Sequence, residues 1–152
     1  MMMTKKFSKT FSLFMLIGMG LFITSCEDCE DPSISELQFC ISVPSGDRLC
    51  DENKTTFAPL DPSITASCKV NCVETTDNVT YTLYFNNGGN LIQVSEKTIS
   101  ISDAGEEADS YETFATLPLP DNTMWNVGEW QVDVEVDSAV PVRATKTFNV
   151  VQ

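Results

Sequence analysis

The clearest regularity along the chain is an alternation of apolar and polar residues with period two. Trp130, Val132, Val134 and Val136 interleave with Gln131, Asp133, Glu135 and Asp137, the pattern of a strand with one face on a core and the other in water. Val79, Tyr81, Leu83 and Phe85 repeat it against Thr80, Thr82 and Tyr84. A third run sets Val142, Ala144, Phe148 and Val150 on one parity and Arg143, Thr145, Thr147 and Asn149 on the other, with Lys146 breaking the apolar side. Weaker runs lie near Glu36 to Val43, Ile64 to Glu74, Leu91 to Ile101 and Tyr111 to Leu117. Beyond the first 25 residues nothing sustains apolar positions at i, i+3, i+4 and i+7, so helix is at most a minor component. Asn86-Asn87-Gly88-Gly89-Asn90 and Asp137-Ser138-Ala139 fall between runs and suit tight turns, because these residue types tolerate left-handed backbone. About seven strands at short spacing, joined as hairpins, predict an all-β chain folded as an antiparallel sandwich. Asp103 to Ser110 reads as a short helical turn or an exposed loop.

The first 25 residues follow another rule. Lys5, Lys6 and Lys9 precede an apolar run from Phe11 to Ile23, which is short of the roughly 20 residues a membrane-crossing helix needs and has the layout of a secretory signal. It ends in Ile23-Thr24-Ser25-Cys26, which resembles the lipobox of bacterial lipoproteins, with Ile where Leu is more usual. That resemblance implies cleavage before Cys26, a thioether-linked diacylglycerol on its sulfur and an acylated new N-terminus; several acyl chains together anchor a protein durably. The alternative is an ordinary signal peptide, with Cys26 left for a disulfide. Glu27-Asp28-Cys29-Glu30-Asp31 follows directly and resembles the acidic export signal of surface-displayed lipoproteins in some Gram-negative bacteria. On its own physics such a tract is a solvated tether extended by charge repulsion. The domain reading is therefore a signal peptide at 1–25, an acidic lipid-anchored tether at 26–33, a Cys-containing N-terminal hairpin at 34–56 and a sandwich at 57–152, anchored in the outer membrane and facing the cell exterior.

A second resemblance lies near the end of the chain. Leu117-Pro118-Leu119-Pro120 through Trp125-Asn126-Val127-Gly128-Glu129-Trp130-Gln131-Val132-Asp133-Val134, followed by Thr147-Phe148-Asn149-Val150, resembles the end of immunoglobulin-like sandwich domains of bacterial extracytoplasmic proteins. Gly128 would permit the bend into the penultimate strand and Trp130 would fill the core beneath it. Ile64 to Cys72 and Tyr81-Thr82-Leu83-Tyr84-Phe85 are similar to the second and third strands of such domains. The likeness covers about residues 57–152 and implies a fold, not an activity. No Cys lies on the Trp130 strand, so the inter-sheet disulfide of antibody domains is missing.

Composition removes several function classes. The 152 residues hold 22 Asp and Glu, 9 Lys and Arg, and no His, for a net charge of -13. Removing the signal takes three lysines and no acid, leaving -16. Without imidazole there is no Ser-His-Asp or Cys-His nucleophile and no HExxH zinc site. So acidic a chain lacks the basic stripe that attracts nucleic acid. No cofactor is implied.

With Cys26 lipidated, five thiols remain: Cys29, Cys40, Cys50, Cys68 and Cys72. An odd number in an oxidising compartment leaves one unpaired or bonded to another chain. Cys68 and Cys72 would stand about 13 Å apart on an extended strand, beyond the roughly 7 Å a bridge spans, so each needs a different partner unless a turn intervenes. Cys40 and Cys50 flank the turn-forming Pro44-Ser45-Gly46-Asp47 and are the first choice for a bridge. A four-thiolate metal site on Cys68-x-x-x-Cys72 is the less favoured reading of the same thiols, since a second close pair is lacking.

Other candidates are surface features. Asp103, Glu106, Glu107 and Asp109 offer oxygen ligands for Ca²⁺ without EF-hand spacing, and a solvated acidic loop is the plainer reading. Trp125, Tyr84 and Tyr111 are candidate binding aromatics, as in sandwich-type carbohydrate-binding modules, against the alternative that Trp125 covers one end of the sandwich. Asp137-Ser138-Ala139 resembles a short motif glycosylated on its Ser in some bacteria, which makes Ser138 a candidate modification site. The expectation is a non-enzymatic binding or adhesion module whose partners are the membrane, through its lipid, and an unknown protein or glycan. The alternatives are a structural subunit of an envelope assembly or secretion complex, and a small His-free enzyme.

Overall fold

The computed structural model describes residues 31–107, 110–118 and 124–152; the signal segment, Cys26, Cys29 and most of the acidic tether lie outside them. In chain order the strands are β1 (Ser33–Cys40), β2 (Thr56–Phe57), β3 (Ser63–Asn71), β4 (Asn78–Asn87), β5 (Asn90–Ser100), β6 (Gly105–Glu107), β7 (Ser110–Pro118), β8 (Gly128–Val136) and β9 (Val142–Val150), with a 3-10 turn at Ile101–Asp103. The seven long strands answer to the seven alternating runs. β2 and β6 have two and three residues, too few for a period to show. Two sheets form, β1-β3-β7-β6 and β2-β9-β8-β4-β5, the seven-strand order of an immunoglobulin-like sandwich with β2 and β5 added at the two edges of the second sheet. All pairings are antiparallel except the short β2–β9 ladder.

Register explains how the core closes. Trp130 stands opposite Phe85 on one side and Phe148 on the other, and a row of rings fills the space between the sheets. Phe39, Phe57, Trp125, Trp130 and Phe148 are almost wholly buried. Trp125 meets Trp130 edge-on at 5.1 Å, and Phe148 meets Phe39 at 5.1 Å and Phe57 at 5.3 Å. Gly128 makes the bend the sequence predicts, with φ +140, a conformation side chains disfavour. A Cβ there would stand 3.3 Å from the Phe85 ring.

Lys146, the break in the alternation of β9, is explained by β1. Glu36 takes φ 51 and the register of β1 shifts between Ser35 and Gln38, a bulge that bends the strand. The Lys146 ammonium donates to the Leu37 carbonyl at 2.6 Å and to Asn53 Oδ1 at 3.1 Å, and lies 5.7 Å from the Phe39 ring centroid. Burial pushes its pKa down, while these partners satisfy the charge.

One expectation is corrected. Residues 34–56 do not form a hairpin: β1 pairs with β3 in one sheet and β2 with β9 in the other. The segment is a crossover between sheets, and β1 belongs to the sandwich.

Candidate functional site

The sandwich has two outer faces, and the crossover loop occupies part of one. On β3, Ile64, Ala66, Cys68 and Val70 point into the core, which turns Thr65 and Ser67 outward; both are nevertheless 0% exposed. The loop after β1 lies over them. The Cys50 amide donates to Ser67 Oγ at 2.9 Å, Ser63 Oγ donates to the Ile41 carbonyl at 2.9 Å, and Arg48 donates to the Asp103 carbonyl. The Cys40–Cys50 disulfide expected from the sequence pins this loop, with Cα atoms 5.7 Å apart.

The outer face of the five-stranded sheet has no such cover among the described residues. It holds a depression of about 220 Å³ lined by Thr80, Thr82 and Tyr84 of β4, Glu96 of β5, Asp133 and Glu135 of β8, Asp137, and Arg143 of β9. Alternation places those on β4, β8 and β9, on the parity opposite the core-facing valines and aromatics of each strand. Glu96 shares its parity with the core-packed Val94 and comes to the outer face because the β4–β5 register shifts between Leu83 and Tyr84. Cross-strand register then brings Thr82 opposite both Asp133 and Glu96, and Thr80 opposite Glu135.

Asp133 organises the floor. Although it faces outward, it is only 8% exposed. Its Oδ1 accepts from Gln131 Nε2 at 2.8 Å and from Thr145 Oγ1 at 2.8 Å. Arg143 Nη2 donates to Glu135 Oε2 at 2.8 Å, and Nη1 stands 3.9 Å from Asp133 Oδ2, so one guanidinium bridges two carboxylates. Asp137 accepts from the Asn78 side-chain amide at 3.0 Å and from the Asn78 backbone amide; the bond from the Asn78 side chain leads in holding its carboxyl below the ordinary aspartate range. The depression thus offers four carboxylates, two threonine hydroxyls, a phenol ring and one cation. Such a surface accepts hydrogen bonds from a neutral polyhydroxylated or cationic ligand and repels anions.

Of the expected aromatics, Tyr84 alone lines this depression. Trp125 is wholly buried and donates Nε1–H to the Asp61 carbonyl at 2.9 Å, so its ring serves the core and offers no platform. Tyr111 lies on β7 in the other sheet, packed against the core. The three rings share no surface. Ser138, the candidate modification site, is 7% exposed, and its hydroxyl donates to the Val140 carbonyl at 2.7 Å.

The thiols separate in the same way. Cys68 is free and buried, with Sγ 3.2 Å from Tyr81 Oη and 3.6 Å from Thr113 Oγ1; burial pushes its pKa up. Cys72 leaves the strand at φ 59 and is disulfide-bonded. One sulfur lies in the core and the other in a bridge, so Cys68-x-x-x-Cys72 does not form a metal pair. Among the described residues no group of three or more His, Cys, Asp or Glu is placed to hold a metal ion. Of the acidic loop, Asp103 ends the 3-10 turn and Glu106 lies on β6.

Alternation marks the outward parity of Asp133, Glu135 and Arg143, but not that of Glu96, whose strand carries core-packed residues on both parities. That these particular residues meet is set by register, for which the sequence carries no local signal. No protein-family model matches this chain, and searches of curated proteins and of solved structures find no match either.

Proposed function

We propose that this chain is a lipid-anchored lipoprotein of a Gram-negative outer membrane, displayed outward, that binds a protein or glycan without catalysing a reaction. The supporting observation is the asymmetry of the two outer faces. One is partly covered by the molecule's own loop over Thr65 and Ser67, while the other presents a polar depression that no described residue covers. The ligand is recognised there by the carboxylates of Glu96, Asp133 and Glu135, the Arg143 guanidinium and the Tyr84 ring. A neutral glycan fits this chemistry well, since sugar hydroxyls donate to carboxylates and a ring's apolar face packs on tyrosine.

A second reading, an assembly subunit, draws on β5. This eleven-residue strand ends its sheet, with Leu91 and Ile92 about half exposed, and a long open edge is a template for strand addition.

Location and ligand face are tested separately. Incorporation of a fatty-acid analogue should vanish in Cys26→Ala, and protease added to intact cells should remove the protein; persistent labelling, or protection until lysis, would sink the anchor or the outward orientation. A photo-reactive residue in place of Glu96 should crosslink to a ligand in native membranes, and one in place of Thr116 on the other sheet should not. Equal capture from both positions would reject the face, and the sensitivity of the adduct to protease or glycosidase would identify its class.

A further inference from the structure

The bonding state of Cys72 carries a consequence for how the domain is held. Among the described cysteines, Cys40 and Cys50 bond each other and Cys68 is free, yet Cys72 is disulfide-bonded. Its partner is therefore one of the two cysteines outside the described residues, Cys26 or Cys29. Resting on the proposal that the Cys26 sulfur carries lipid, we infer that Cys72 is bonded to Cys29, so that the tether is stapled to the end of β3 beside the anchor.

The geometry agrees with this pairing. β1 begins at Ser33, opposite Asn71, and Ile34 pairs with Val70. The chain thus enters the sandwich at the end where Cys72 lies, one residue beyond the ladder. Asn71 Nδ2 also donates to Ser33 Oγ at 3.1 Å, which holds the incoming chain against the end of β3. From Cys29 to Ser33 is four residues, a span of up to about 14 Å when extended, ample for a turn back to Cys72. Bond formation removes two thiol protons and two electrons. The acceptor is the disulfide of an exported thiol–disulfide exchange protein, which leaves as a dithiol.

The staple changes the mechanics of display. A seven-residue tether from Cys26 to Ser33 reaches about 25 Å, whereas three residues from Cys26 to Cys29 reach about 10 Å. The end of the sandwich bearing Cys72 is then kept near the bilayer. The half of the depression formed by Thr80, Glu135, Asp137 and Arg143 lies toward that end, because β4 starts and β8 finishes there. Its ligand is accordingly met close to the membrane surface.

The test is peptide mapping of the full membrane-extracted protein, thiol-blocked and unreduced, cut with trypsin and a glutamate-specific protease that separates Cys29 from Cys40. A Cys29–Cys72 linked peptide is expected, together with lipid on Cys26. A Cys26–Cys72 link would overturn both this inference and the lipid anchor. Cys72 recovered as a free thiol or bonded elsewhere, with Cys26 still lipidated, would overturn the staple alone. In Cys29→Ala, fatty-acid labelling should persist while Cys72 becomes reactive to a maleimide in the unreduced, denatured protein; because the readout is taken on denatured protein, an unreactive Cys72 would overturn the pairing however well the variant folds.

Discussion

Trp130→Ala is expected to lower the free energy of unfolding by about 3–5 kcal/mol, the usual range for emptying a large aromatic site in a core. The indole is 0% exposed and has rings on three sides: Phe85 at 4.9 Å, Trp125 at 5.1 Å and Phe148 stacked at 6.3 Å. Its Nε1–H donates to the Asn126 carbonyl at 2.9 Å, which fixes the chain entering β8 just before Gly128. Neighbouring rings cannot all collapse into the void, because Phe85 and Phe148 are tied to strands on either side of β8. Since a domain of this size is stable by only about 5–15 kcal/mol, the alanine variant should melt on the order of 10–20 °C lower. Trp130→Phe should cost roughly half as much, keeping much of the ring contact and losing the Asn126 bond. Urea denaturation of both variants is the measurement. A loss under about 1 kcal/mol for the alanine variant would mean that the ring row is not the centre of the core.

The positions of Trp130 and its strand were readable because a half-buried strand writes its two faces into alternate residues. The same rule recovered β4 and most of β9. It failed where a residue's environment comes from a distant segment. Lys146 breaks the alternation because the bulge at Glu36 and Leu37, more than a hundred residues earlier, supplies a carbonyl for its ammonium. Asp133 was assigned to water by parity and does face outward, yet Gln131, Thr145 and Arg143 bury it. Ser138 reads as exposed because its neighbours read as a turn, and Trp125 reads either as a binding ring or as the cover of one end of the sandwich, which is where it lies. Each is buried by a bond made locally in space: Trp125 to the Asp61 carbonyl, Ser138 to the Val140 carbonyl. The candidate site was legible as a set of outward residues but not as a depression. What singles out its face is the loop covering part of the other one, and a loop without periodicity gives no sign of the surface it will cover.

That loop is held closed by the Cys40–Cys50 bridge. Replacing Cys40 and Cys50 together by Ala should destabilise the protein by about 2–3 kcal/mol, because opening a bridge between residues ten apart restores chain entropy to the unfolded state. The double variant is the right one, since a single replacement would leave a thiol able to exchange with the bridge at Cys72. The effect should also be local. Cys50 brings its amide to Ser67 Oγ and Ile41 its carbonyl to Ser63, so a freed loop should lift from β3 and let water reach Thr65 and Ser67. Hydrogen exchange at residues 41–52 and at the outward positions of β3 should quicken well beyond the change set by global stability, while β4, β8 and β9 exchange only as the global loss dictates. Uniform acceleration across both sheets would show that the bridge acts only through the unfolded chain. If lifting the loop also allows a photo-reactive residue at Ser67 to capture the ligand taken at Glu96, then cover by the loop, and not the chemistry of the five-stranded face alone, decides which side of the sandwich binds.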